Sequence, residues 1–285
     1  MKRIKRLKTK KKSIQKMVSA LAIACLLAGC AQTSADEQKA DETATQDQDT
    51  QEELLDGTTG AETADNGQET LPAGDAFTGE SAADGHVDFD ALQQINPDIF
   101  AWLYVPGTGI DIPVLQSHET DEYYKTHTPD GEEGAAGSVF TEMPNLMNMC
   151  DFNTILHGKD LEEDDWFYSL HKFEDGDFFR ENEVFYLYLP DNVLTYEVVA
   201  AYYDEGTDIL RRYDYTTYSG CQSYLEDMYG YKSMNKNMRE GWDDLTPYHF
   251  LVTLDGSIRE DNTQYVVVGA LIEDAAGTID RMILE

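Results

Sequence analysis

FLVTLDGSIREDNTQYVVVGALI, residues 250–272, is the stretch that decides the fold. Its two ends predict buried strands: 250–254 is apolar but for Thr253, and 265–272 is a β-branched run of strand length. The polar residues 255–264 between them predict a turn, with Gly256 supplying its flexibility. A strand pair of this kind holds one side chain at the turn and aims it at a cleft, and the residue so placed is Ser257. Upstream, FNTILHGKD at 152–160 reads as a second apolar strand ending in polar groups. These two strand ends are expected to face each other.

The segments around them are short and mostly extended. A helix is predicted over 89–95, with Phe89, Leu92 and Ile95 on one face, and strands over 99–105 and 110–115 flank a Pro-Gly-Thr-Gly turn. Pro113 suits an edge or a bulge. A short strand is expected at 138–140, a helix capped by acids over 164–170, and a hairpin of 184–189 with 193–203 across Pro190, Asp191 and Asn192. Residues 218–229 read as helix. Many short strands with few helices predict a mainly β domain, a barrel or sandwich carrying helical insertions.

Charge divides the chain. Lys plus Arg total 21 and Asp plus Glu 55, for a net −34. Residues 1–29 hold nine of the basic residues and no acid, which leaves −43 from Cys30 onward. Such a surface repels nucleic acid and favours cationic partners. Residues 2–16 form a basic leader and 17–28 an apolar run too short for a comfortable membrane span. The run ends Leu27-Ala28-Gly29-Cys30, which resembles a bacterial lipoprotein signal, residues 1–29, with Cys30 as the lipidated residue. That resemblance implies a protein held by acyl chains on the extracellular face of the cytoplasmic membrane. Residues 30–86 are acidic, nearly free of aromatics and unable to bury enough apolar surface to fold, so they read as a disordered tether spanning roughly 40 Å. The folded domain is expected over 87–274, followed by a C-terminal tail at 275–285.

Taken in order, NPDIFAWLYVPGTGIDIPVLQ, the Tyr123-Tyr124 pair, GSVF, FNTILHGKD, WFYSLHKFED, a helical insertion at 213–232 and the closing LVTLDGS…QYVVVGALI resemble a class B sortase. The resemblance implies a sortase-like eight-stranded β-barrel with short helices and a helical insertion before the last strands. It also implies a cell-surface cysteine transpeptidase that cleaves a sorting-signal peptide and joins it to a cell-wall amine. The expected chemistry is altered. The family's Tyr-Gly-His reads here as His157-Gly158-Lys159, so Lys159 stands at the catalytic His position. Its Leu-Ser-Thr-Cys reads as Leu254-Asp255-Gly256-Ser257, so Ser257 stands at the nucleophile position, and its Arg falls at Gln264.

A Ser hydroxyl is a far weaker nucleophile than a thiolate and requires a base. Gln264 offers an oxyanion only a neutral hydrogen bond. Two readings follow: a degenerate sortase barrel that binds a peptide or cell-wall protein or acts as a scaffold, and an acyl-transferring enzyme built on a Ser257–Lys159 dyad. His157 is either a substitute base, two residues from Lys159 on the same strand face, or a packed histidine. Cys150 and Cys221 leave a disulfide open. No cofactor and no metal is expected: the histidines lack zinc spacing, and the acidic run 162–165 reads as a solvated loop without the ligand spacing of a calcium loop. The tyrosine-rich segments read as packing residues, with a peptide groove as the alternative.

Overall fold

The structure, a computed structural model, describes residues 5–6, 81–82, 85–233 and 235–283. Cys30, most of the basic leader and nearly all of the expected tether lie outside the described residues. The strands of the main sheet are β1 (Ile99–Val105), β2 (Ile110–Leu115), β3 (Val139–Phe140), β4 (Asn153–His157), β5 (Val184–Leu189), β6 (Asn192–Glu205), β7 (Asn237–Met238), β8 (Leu251–Asp255) and β9 (Thr263–Asp274). They hydrogen-bond in the order β9-β8-β4-β3-β2-β1-β5-β6, and β6 pairs back onto β9. That closes an eight-stranded barrel, with the short β7 added to the side of β6. Closure leaves the long β9 with no free edge.

β9 is apolar without alternation because both of its faces are covered. Tyr265 and Val267 point into the barrel core with Leu254 and Val252 of β8. Val266, Val268 and Ala270 point the other way, where helix α4 (Tyr218–Gly230) packs Cys221, Tyr224, Leu225 and Met228 against them. Those four helix positions follow the 3.6-residue period. Pro113 lies in β2 between two partners, yet its free flank costs no hydrogen bond: β3 pairs only with Val114 and Leu115. The hairpin of β5 and β6 closes at Leu189 opposite Asn192.

Several elements differ from expectation for local reasons. The helix expected over 164–170 is a 3₁₀ turn at Tyr168–Glu174 followed by α2 (Gly176–Glu181). The Asp165 carboxylate accepts from the backbone N–H groups of Leu161 and Glu162, which closes a turn where a helix was expected to start. In α1 (Phe89–Ile95) Phe89 and Leu92 are buried, but Ile95, at the last turn, is exposed. A further short helix, α3 (Ile209–Arg212), precedes α4 and is N-capped by Asp208.

Contacts with the barrel extend beyond 87–274 at both ends. Ala82 is buried, and its carbonyl accepts from the Tyr188 hydroxyl. Ile279 is buried in the core, with Asp274 accepting from its backbone N–H. Both described cysteines are unpaired, Cys221 buried and Cys150 half-buried.

Candidate functional site

β4 and β8 run parallel with His157 opposite Asp255, so their C-terminal ends stand side by side. Asp255 lies on the face of β8 shared by Leu251 and Thr253, the face that carries α4. Beside these strand ends is a cavity of about 360 Å³. Its walls include Ser257, Lys159, Gln264, His157, Glu142 and Asp208. The structure therefore brings all four sequence-derived candidates to one cavity.

Lys159, Gln264 and the backbone of Ser257 each make a contact with the surrounding scaffold. The Ser257 backbone N–H donates to Asp160 Oδ1 at 2.8 Å. The Lys159 ammonium donates to the Ala135 carbonyl across the cavity wall. Gln264, almost fully buried, donates from Nε2 to the Thr207 carbonyl at 3.0 Å. No hydrogen bond joins Ser257, Lys159 and Gln264 to one another among the described residues.

His157 is held by its Nδ1, 2.9 Å from Asp255 Oδ2, while its Nε2 lies 4.0 Å from Glu142 Oε1, beyond hydrogen-bonding distance. Burial works to lower the pKa of this imidazole. The hydrogen bond to Asp255 and the charges of Asp255, Glu142 and Asp208 outweigh it and raise the pKa above the usual value. Burial raises the Asp255 pKa, opposed by the bond to His157. Asp255 Oδ1 is buried without a partner.

Behind Ser257 lies a network that the sequence reading missed. Asp160, 1 % exposed, takes the Ser257 N–H on one oxygen and faces His171 Nε2 at 3.1 Å and Arg259 Nη2 at 3.3 Å on the other. His171 Nδ1 reaches Glu174 Oε1 at 2.7 Å, and the Tyr203 hydroxyl donates to that same oxygen. A Cβ on Gly256 would sit 2.4 Å from Asp160 Oδ2. Glycine is thus required at 256 by close approach to a carboxylate, where the sequence reading assigned it only flexibility. Glu142, Asp255, Asp160, His171, Arg211 and Arg259 carried no local signal, since their contacts join segments about ten to a hundred residues apart.

The fold defines a sortase-type barrel, and comparisons with known proteins agree. Sortase B of Listeria monocytogenes is 36 % identical over 118 residues, covering 41 % of this chain and 47 % of that protein. The chain thus spans about half the length of that relative. The crystal structure of Clostridium perfringens sortase B is similar with a TM-score of 0.58 and 28 % identity, over 65 % of this chain and 100 % of that one. Sortase B of Bacillus anthracis is similar with a TM-score of 0.56 and 28 % identity, over 65 % and 84 %. No protein-family model matches the chain. Fold and homology together support the sortase family. Within it the relatives named here are of class B.

Proposed function

We propose that this protein is a class B sortase-like module of the cell surface that binds an extended peptide, or scaffolds a cell-wall protein, without sortase turnover. The observation that carries this reading is the occupation of Lys159 Nζ and Gln264 Nε2 by the carbonyls of Ala135 and Thr207. A general base must lie within reach of the nucleophile's proton, and an oxyanion donor must be free to meet developing charge. Here the ammonium and the amide are committed to carbonyls of the scaffold, while the cavity beside them stays open. Lipidation at Cys30 would anchor the module on the extracellular face of the cytoplasmic membrane, on the acidic tether of 30–86.

A Ser257–Lys159 dyad is the second reading, supported by the placement of both side chains on the wall of one cavity. Turnover of a panel of sorting-signal peptides by the protein and by its Ser257→Ala variant separates the two. Peptide binding with neither cleavage nor a mass-detected acyl-enzyme is the expected result. Reaction by the parent but not the variant would establish the dyad and overturn the first reading.

A further inference from the structure

The imidazole of His171 stands between an acceptor and a donor that it cannot serve together. Its Nδ1 lies 2.7 Å from Glu174 Oε1, which also accepts from the Tyr203 hydroxyl, while Asn235 Nδ2 donates to Glu174 Oε2 at 3.2 Å. With both Glu174 oxygens acting as acceptors, Nδ1 is a ring nitrogen that carries a proton. The other nitrogen, Nε2, lies 2.8 Å from Arg259 Nη2 and 3.1 Å from Asp160 Oδ2. A guanidinium only donates, and an ionised carboxylate only accepts. Unprotonated, Nε2 accepts from Arg259 and meets Asp160 lone pair to lone pair. Protonated, it donates to Asp160 and sets N–H against N–H at Arg259, with two positive charges side by side.

The groups around the ring leave this choice to the proton. Asp160 approaches from the segment after β4, Glu174 and Tyr168 from the 3₁₀ turn that carries His171, and Arg259 from the turn between β8 and β9. Tyr203 approaches from β6 and Tyr265 from β9. Without the imidazolium this group sets two carboxylates against one guanidinium; with it the charges balance. Asp160 is fixed, buried and held by the Ser257 N–H. Arg259 is the partner with room to move: its side chain is 28 % exposed, and its guanidinium carbon lies over the Tyr203 ring at 5.4 Å, a contact that survives the loss of His171. Its backbone belongs to the cavity wall. The neighbouring Ser257 and Ile258 line the cavity, and the turn closes through the Arg259 N–H to the Thr263 carbonyl and the Asn262 N–H to the Arg259 carbonyl.

We propose that His171 is a proton-operated switch on the turn between β8 and β9. Neutral, it accepts from Arg259 and clamps the turn. Protonated, it turns to Asp160 and releases Arg259, which loosens the wall bearing Ser257 and Ile258. The inference goes beyond peptide binding at the cavity and holds whether or not a peptide binds there. Burial works to lower the His171 pKa, but the bonds to Asp160 and Glu174 raise it overall, so release sets in at a higher pH than an isolated imidazole would give.

Two measurements on the full chain test the switch. In protein carrying isotope-labelled histidine, nitrogen NMR follows the ring through a pH titration, with the His171 signals identified by their loss in His171→Asn. The titration is expected to convert Nε2 alone, leaving at alkaline pH a bare Nε2 and a protonated Nδ1. A neutral ring protonated at Nε2 would overturn the proposal, and so would a ring that keeps one protonation state throughout. Hydrogen exchange, corrected for the intrinsic effect of pH, then reads the turn in the peptide spanning 256–264, with the hairpin of β5 and β6 as the reference for global opening. Relative to that reference, the turn is expected to exchange faster below the His171 midpoint than above it, and Arg259→Gln is expected to abolish the difference. Equal exchange on the two sides of the midpoint in the parent, or a difference that persists in Arg259→Gln, would show that Arg259 is not what the proton moves.

Discussion

His157 and His171 each meet two carboxylates, and this sets a sign for the pH dependence of stability. For His171, burial works to lower the pKa, but hydrogen bonds to Asp160 and Glu174 raise it overall, against the charge of Arg259. Both imidazoles therefore hold their protons more tightly when folded than when unfolded. A raised folded-state pKa contributes stability that is complete below the unfolded value near 6.5 and is lost as pH climbs through the folded value. Urea unfolding midpoints are expected to fall as the pH rises above about 6.5, and a His157→Asn, His171→Asn double variant is expected to show a flatter profile there. A parent profile that rises across the same window would contradict the assignment. Neither histidine's role was legible from its neighbours in sequence. For His157 the sequence left a substitute base and a packed histidine both open, because its partner Asp255 is 98 residues away.

The turn between β8 and β9 shows how an element is positioned from outside itself. Its strands were legible because β-branched runs buried on both faces leave an unbroken apolar signal. The conformation of the turn was not, because it is dictated by Asp160, three residues past the end of β4 and about a hundred residues away in sequence. Asp160 offers its two oxygens to a backbone N–H, an imidazole and a guanidinium, with the turn's Gly256 pressed against it. Asp160→Ala leaves those donors unpaired in a buried site and is expected to cost about 3–5 kcal/mol, as breaking a buried pair does. Asp160→Asn preserves the shape and one acceptor, so its cost is expected to be smaller. Gly256→Ala must displace the carboxylate and is expected to cost about 1–3 kcal/mol, the scale of a buried donor left without its acceptor. Denaturant unfolding of the three variants measures the order, and a Gly256→Ala variant as stable as the parent would show that the close approach relaxes freely. The short α3 escaped the sequence reading for a related reason: four residues are too few for a periodic signal, and Asp208, which caps it, resembles any loop aspartate.

At the scale of the molecule the sequence divides into a basic leader, an acidic stretch and a barrel, and each boundary carries a change of composition. The barrel's class was legible from the order of its segments, none of which is decisive alone. Its closure by β6 on β9 was not, since no local pattern reports which strands meet. For the first 86 residues composition is the main guide, and it leads to a definite expectation. Two acyl chains at Cys30 would anchor the chain stably, while a tether of like charges would extend and hold the barrel away from the lipid. Cys30→Ala removes the lipidation site without touching the barrel. It is therefore expected to move the protein from the membrane fraction to the soluble extracytoplasmic fraction, with the barrel's unfolding midpoint unchanged. Deleting 40–75 while keeping Cys30 is expected to leave membrane association intact and to slow protease access to the barrel in intact membranes. If the Cys30→Ala protein stays with the membrane, Cys30 is not what holds it there. The apolar run at 17–28 would then have to be read as retained, a run short of the roughly 20 residues that a comfortable span requires.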